Sequence, residues 1–233
     1  MKTMPVIPTV GSGPSFETPT GLAVAADGSL VFTDLSLLAV GSVDPSTGDR
    51  TIISDANTGT GPNFQAPFNV AVASGGQLMV VDTGLQAVMG VDPTSGNRKI
   101  VSDANTGSGP GFQPFDIAVE SYGQLVVIDL TQLAVLRIDP STGNRTIISD
   151  ANVGTGPAFS APSSIAVQSD GQLVVADNGL TAVVRVDPNS GNRTIVSDSN
   201  TGSGPALLAP VSIAVESGGQ LVVADDGLRA VVQ

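Results

Sequence analysis

The chain has 233 residues, carries a net charge of −12, and contains neither cysteine nor histidine. These absences exclude disulfides, thiol nucleophiles, the usual zinc ligands and a Ser-His-Asp triad. The negative charge makes nucleic acid and anionic membranes poor partners, and the sequence shows neither a transmembrane segment nor the apolar core of a signal peptide.

A recurring Gly-Pro pair marks an internal repeat. Its spacing of about 48 residues is typical of propeller blades and of some helical arrays, and its copies are Gly13-Pro14, Gly61-Pro62, Gly109-Pro110, Gly156-Pro157 and Gly204-Pro205. The repeats span 13–60, 61–108, 109–155 and 156–203, and a shorter one at 204–233 is completed by 1–12. We therefore expect one domain over residues 1–233.

Each complete repeat contains four short runs rich in Val and Ile, the composition of half-buried strands. In the fourth repeat they are strand A (165–167), strand B (173–176), strand C (182–186) and strand D (193–197). Gly, Asn, Asp and Pro separate the runs, as in tight turns. The sequence therefore predicts an all-β fold: a five-bladed β-propeller with four antiparallel strands per blade.

The last repeat ends after its third strand. The segment Pro5-Val6-Ile7-Pro8 stands before the first Gly-Pro pair, where the complete repeats have strand D. We therefore predict that the N-terminal strand completes the last blade and closes the ring, as in a Velcro closure, which makes the chain a monomer. Two alternatives stay open: the chain is a piece of a larger ring, or two chains complete one another.

The blade pattern is Pro-x-x-Ile-Ala-Val, then Gly-Gln-Leu-Val-Val-x-Asp, then Ala-Val-x-Arg-Val-Asp-Pro. Over essentially the whole chain it resembles NHL-repeat propellers and the related gluconolactonase-like (SMP-30-like) superfamily. The resemblance implies the propeller fold, but lactonases of that superfamily carry an early Glu-Gly motif that residues 15–21 match poorly. The amidating and streptogramin lyases rely on His, so the resemblance carries no activity over to this chain.

Propeller geometry places the D–A and B–C loops on one face, here called the top, and the A–B and C–D turns on the bottom. An Asp after each strand B falls at the top, as do acids in the D–A loops. The arginines that begin strand D, among them Arg98 and Arg145, fall at the bottom. The sequence therefore predicts an acidic top face.

The recurring Asp has two interpretations. It can accept hydrogen bonds from loop N–H groups and fix the B–C turn, or it can hold a cation such as calcium at the channel mouth. The five residues are Asp34, Asp82, Asp129, Asp177 and Asp225. The D–A loops repeat Asp-x-Asn-x-Gly, which is similar to the opening of a calcium loop but is also ordinary turn composition.

The residue before the apolar run of strand A differs between repeats. These positions are Gly21, Asn69, Asp116, Ser164 and Ser212. If strand A lines the channel, Asn69 and Asp116 are neighbours at its top mouth, with Phe68 and Phe115 beside them. Two explanations of this variation stay open: unselected drift between the copies, or a functional site at the channel mouth. The recurring Phe of Gly-Pro-x-Phe is predicted to anchor the packing between blades.

Two functions compete at this point. The first is a non-catalytic scaffold or weak binding module, which the near-uniform blades favour. The second is a calcium-dependent hydrolase of the lactonase type, in which a cation polarises the lactone carbonyl and Asp116 and Asn69 are the first candidate ligands. Copies this similar are also compatible with recent amplification or consensus engineering.

Overall fold

In the computed structural model, which describes residues 11–233, the chain is a five-bladed β-propeller. Four blades are four-stranded antiparallel sheets with the strands in sequential order, and the fifth blade has three strands. The described residues contain no helix, and therefore none that could cross a membrane. The predicted N-terminal closing strand, Pro5–Pro8, lies outside the described residues.

The strands follow the predicted order A to D within each blade. Blade 1 contains β1 (Pro19–Val24), β2 (Leu30–Asp34), β3 (Ala39–Val43) and β4 (Arg50–Ser54). Blade 2 contains β5 (Pro67–Val72), β6 (Leu78–Asp82), β7 (Ala87–Val91) and β8 (Arg98–Ser102), and blade 3 contains β9 (Pro114–Val119), β10 (Leu125–Asp129), β11 (Ala134–Ile138) and β12 (Arg145–Ser149). Blade 4 contains β13 (Pro162–Val167), β14 (Leu173–Asp177), β15 (Ala182–Val186) and β16 (Arg193–Ser197), and blade 5 contains β17 (Pro210–Val215), β18 (Leu221–Asp225) and β19 (Ala230–Val232).

The turns form where the sequence supplies the required residues. In blade 4, Gly171 takes a φ of 85° in the A–B turn and Gly191 a φ of 72° in the C–D turn, a region that glycine adopts without a steric penalty. Asp187 fixes the C–D turn by accepting the N–H groups of Asn189 (2.8 Å) and Ser190 (2.9 Å). The register then pairs Leu173 with Val186 across strands B and C.

The hydrophobic core lies between blades rather than within them. Val126 and Ile128 of blade 3 pack with Ile165, Leu173 and Val175 of blade 4 in one buried cluster. Each such side chain stabilises the ring by about 1.5–3 kcal/mol when fully buried. Because both faces of the inner blades are covered in this way, the sequences of their strands are nearly continuous runs of apolar residues.

The two terminal blades each leave one apolar face uncovered. Leu22 of blade 1 is 64% exposed, whereas Ile117, at the same position of blade 3, is 5% exposed. On the other side of the ring, Val231 of blade 5 is 70% exposed, whereas the equivalent Val135 is fully buried. The faces that pack together inside the ring are therefore open at blades 1 and 5.

The predicted separation of the strand D arginines from the top-side loops is wrong. The D–A loops after blades 1, 2 and 3 lie against the C–D turn of the next blade: Thr60 N–H donates to Asn97 (2.8 Å), and Arg98 N–H donates to the Thr60 carbonyl (2.7 Å). Arg98 Nη1 reaches the carbonyls of Asp55 (2.7 Å) and Thr58 (2.9 Å) in that loop. Strand twist accumulates across a blade, so at the outer rim the top of one blade meets the bottom of the next.

The prediction of an acidic top face also requires correction. The Asp residues that follow strand B are buried, so they add little to the surface charge. Glu17 and Asp226 are exposed on the top side, whereas the exposed acids of the bottom turns are Asp27, Asp44, Asp49, Asp92, Asp170 and Glu216. The exposed negative charge in the described part of the chain is therefore concentrated on the A–B and C–D turns.

Candidate functional site

The A strands of all five blades line a central cavity of about 230 Å³. The position that varies between repeats lines it in every blade. Its lining includes Gly21, Asn69, Asp116, Ser164 and Ser212. The structure therefore brings the predicted channel-mouth residues together.

Asp116 is the most perturbed group of this channel. Its carboxylate accepts the Asn69 side-chain amide of the neighbouring blade, the Ile117 N–H at 2.8 Å and the Ile165 N–H at 2.7 Å. Burial raises the pKa of Asp116 to about 6, although the hydrogen bonds from Ile165, Ser164 and Ile117 oppose the shift. The carboxyl therefore joins blades 2, 3 and 4 at the channel wall.

The other members of the predicted channel mouth extend this arrangement. Ser164 Oγ accepts the Ile213 N–H of the next blade at 3.2 Å, the bond that Asp116 makes one blade earlier. Phe68 and Phe115 lie against one another, with ring centroids 4.6 Å apart. These contacts hold adjacent A strands together, and those of Ser164 and Asp116 engage two of the polar groups that line the channel.

The five Asp residues after strand B do not face one another around the channel mouth. Each is buried and bonds main-chain N–H groups of its own blade; Asp177 accepts those of Ser160 (2.9 Å), Ala161 (2.9 Å) and Leu180 (3.0 Å). These bonds join the end of the D–A loop to the B–C turn. Burial by itself raises the pKa of Asp34, but the equivalent N–H donors outweigh it and hold this pKa below its ordinary value.

The Asp-x-Asn-x-Gly loops use their carboxylates in the same way. Asp55 Oδ1 accepts the N–H groups of Asn57 (2.8 Å) and Thr58 (2.7 Å), and Asp103 repeats both bonds. Within residues 11–233, no three carboxylates lie close enough to share one metal ion. In the described structure the loop carboxylates therefore act as turn formers, by bonding N–H groups two and three residues further along the chain.

The recurring Phe anchors the blades through a strand D arginine. Phe64 and Phe159 are buried, and Arg145 lies 5.2 Å from the centroid of Phe112. Phe16, the first copy, is instead 44% exposed. Phe16 keeps the contact with its strand D arginine, because Arg50 lies 5.5 Å from its centroid, but it lacks the burial of Phe64 and Phe159.

The sequence analysis missed a groove on the bottom side between blades 1 and 2. It has a volume of about 590 Å³, an apolar floor that includes Val31 and Leu78, and a rim that includes Ser42 and Asp27. A second hollow of about 600 Å³ shares Asp27, Ser29, Ser42 and Thr51 with it. A comparison of strand C between repeats would have indicated it, because Ser42 stands where blades 3 and 4 have Arg137 and Arg185.

No family model and no curated protein sequence matches the chain, whereas solved structures match its fold. A chain of the nidogen/laminin complex is 20% identical with a TM-score of 0.71, covering 91% of this chain and 74% of that one. Virginiamycin B lyase from Staphylococcus aureus is 19% identical with a TM-score of 0.65, covering 88% and 62%. A gluconolactonase from Xanthomonas campestris is 19% identical with a TM-score of 0.67, covering 89% and 70%.

These similarities identify the β-propeller fold and nothing finer, because one fold hosts many functions. The chain spans less than two thirds of the length of the virginiamycin B lyase chain. By their names, the matched proteins are a component of a nidogen/laminin complex, a virginiamycin B lyase and a gluconolactonase. Function must therefore be argued from the residues of this chain.

Proposed function

We propose that this protein is a non-catalytic β-propeller that serves as a binding scaffold. The observation that carries the proposal is that the carboxylates repeated in every blade already accept hydrogen bonds from the protein itself. The Asp after strand B in each blade is engaged by loop N–H groups, as Asp82 is by Gln65, Ala66 and Leu85. A carboxylate saturated in this way is a poor metal ligand and a poor general base.

The alternative is a calcium-dependent hydrolase of the lactonase type. Asp116 favours it, because a buried carboxyl with a raised pKa inside a central cavity is a feature of functional sites. Both oxygens of Asp116 are, however, occupied by Asn69, Ile117 and Ile165. A cation or substrate would compete for these oxygens with contacts that join three blades, which supports the scaffold proposal.

Calorimetry with calcium, together with a gluconolactone hydrolysis assay, tests the proposal. We expect no binding heat at millimolar calcium, no rise in melting temperature and no hydrolysis above the buffer rate. The matched variants are Asp116→Asn, in the channel, and Asp170→Asn, on an exposed turn. Calcium-dependent hydrolysis that Asp116→Asn removes and Asp170→Asn retains overturns the scaffold proposal in favour of the hydrolase.

A further inference from the structure

The bottom-side grooves between successive blades are built from equivalent residues, and three of the four hold a basic side chain of this chain. Between blades 3 and 4, Arg137 donates to both oxygens of Glu120 (2.6 Å each) and lies 3.4 Å from the Pro188 carbonyl. On the side of blade 4 that faces blade 5, the equivalent Arg185 donates to Gln168 of its own blade at 3.2 Å. Both arginines occupy the same register of strand C, opposite a valine of strand B.

The groove between blades 2 and 3 also has a basic side chain at this place, but it comes from a different strand. Strand C has Gly90 at this register, paired with Lys99 of strand D. Lys99 Cε lies 3.3 Å from the place where a Cβ on Gly90 would stand. The lysine stem therefore crosses the position that the arginine stems fill in blades 3 and 4.

The groove between blades 1 and 2 is the exception. Ser42 stands at the register of Arg137, Thr51 at that of Lys99, and Ala25 at that of Glu120. Among the described residues that line this groove there is no lysine or arginine. The small side chains leave the opening of about 590 Å³, with Pro93 in the place that Pro188 holds between blades 3 and 4.

The charges around this groove are negative. Asp27 is on its rim, and Asp44 and Asp49 line the adjoining hollow. The hydroxyl and N–H of Ser29 hold the pKa of Asp27 below its ordinary value, and those of Ser46 do the same for Asp44. All three carboxylates are exposed. Their described hydrogen bonds end on Oδ1, which leaves Oδ2 for an incoming cation.

We propose that the groove between blades 1 and 2 binds an arginine side chain of a partner polypeptide, in the place that Arg137 fills between blades 3 and 4. This inference rests on the proposed scaffold function and names its partner as a basic peptide segment. The apolar floor, with Val31 and Leu78, accepts the methylene stem. Asp27 and Asp44, with the hydroxyls of Ser42 and Thr51, receive the five N–H donors of the guanidinium.

An NMR titration of the full chain with the tripeptide acetyl-Gly-Arg-Gly-amide tests the proposal, with the citrulline tripeptide as the uncharged control. We expect amide shifts confined to Ser29, Ser42, Thr94 and Ser95 with the arginine peptide and none with citrulline. Asp27→Asn should weaken binding about tenfold, the effect of losing one hydrogen bond to a charged group. Asp170→Asn, at the same turn position in blade 4, should leave it unchanged.

Two double variants make the test independent of a general loss of acidity. Ala25→Glu with Ser42→Arg rebuilds the Glu120–Arg137 pair in blade 1 at constant net charge and should abolish the shifts. Glu120→Ala with Arg137→Ser empties the groove between blades 3 and 4 and should create a second set of shifts near Asn189. A melting curve for each variant shows that the fold persists.

Shifts spread over the acidic turns of all blades, or binding that survives Ala25→Glu with Ser42→Arg, would overturn the groove proposal as non-specific charge attraction. The absence of arginine-peptide binding would overturn it as well. Neither result bears on the scaffold proposal, which fails only if calcium-dependent hydrolysis is found. The two proposals are thus separable by experiment.

Discussion

At the scale of single residues, Asp116 is the group whose charge depends most on the fold. Its pKa is about 6 in the folded protein, against an ordinary value of 3.8. The folded protein therefore holds this proton more tightly than the unfolded chain does. The resulting stabilisation is complete below pH 4, is lost as the pH rises towards 6, and amounts to about 3 kcal/mol.

Asp116→Asn should remove this pH dependence, because an amide does not ionise. We expect the free energy of unfolding of the wild type, relative to the variant, to fall by about 2–3 kcal/mol between pH 4 and pH 7. Urea denaturation of both proteins at the two pH values measures it, and Asp170→Asn serves as the exposed control. A difference between wild type and variant that is the same at both pH values would show that Asp116 ionises normally.

At the scale of the elements, the arginine that begins strand D joins each inner blade to the one before it. Arg145 Nη1 donates to Ser102 Oγ (2.7 Å) and to the carbonyl of Asp103 (2.8 Å), and Nε donates to the carbonyl of Pro110 (2.9 Å). Its guanidinium also lies 5.2 Å from the centroid of Phe112. The planar fork of arginine fits all of these partners at once, which a lysine ammonium cannot do.

Arg145→Lys should therefore destabilise the protein by about 2–4 kcal/mol, through the lost Nε bond and the weaker stacking. Arg185→Lys is the matched control, because Arg185 is exposed and donates to one side chain, Gln168; its cost should stay below about 0.5 kcal/mol. Urea denaturation measures both. Equal costs for the two substitutions would contradict the interblade role of Arg145.

The elements also show how far sequence reasoning reaches in a repeat protein. Period and turn chemistry predict the strands found within residues 11–233, because Gly171 and Asp187 act within a few residues of their own position. The contact between Arg98 and the Asp55 loop was not predictable in the same way, since it depends on how strongly a blade twists. The groove at Ser42 was missed because its signal is a difference between copies, and similarity between copies defined the fold.

In the central channel, too, some contacts were predictable from the sequence and others were not. The juxtaposition of Asn69 with Asp116 was predictable, because equivalent positions of adjacent A strands lie side by side around a propeller axis. The hydrogen bond from the Ile165 N–H to Asp116 was not predictable, since it depends on how blade 4 is placed relative to blade 3. Position in the repeat therefore predicts which residues meet, and the packing between blades decides which polar atoms remain available.

At the scale of the whole molecule, the ring is defined by its two open faces. Leu22 and Val24 of blade 1 are 64% and 66% exposed. The equivalent faces of blades 2 to 5 are covered by the preceding blade, as Val70 is by Val31 and Val40. The sequence-based proposal that an N-terminal strand closes the ring falls on residues outside those described, so the open faces provide the test of closure.

If the faces are open in solution, a charge at Leu22 should be tolerated and the same charge inside the ring should not. We expect Leu22→Asp to change the free energy of unfolding by less than about 0.5 kcal/mol, and Ile117→Asp, at the same strand position of blade 3, to cost more than about 4 kcal/mol. Urea denaturation measures both at one protein concentration. A comparable cost at Leu22 would show that this face is covered.

Size-exclusion chromatography with light scattering then shows whether the cover comes from the same chain or from a second one. A monomer indicates closure within one chain, which truncation of residues 1–10 should reverse, whereas a dimer indicates that two chains complete one another.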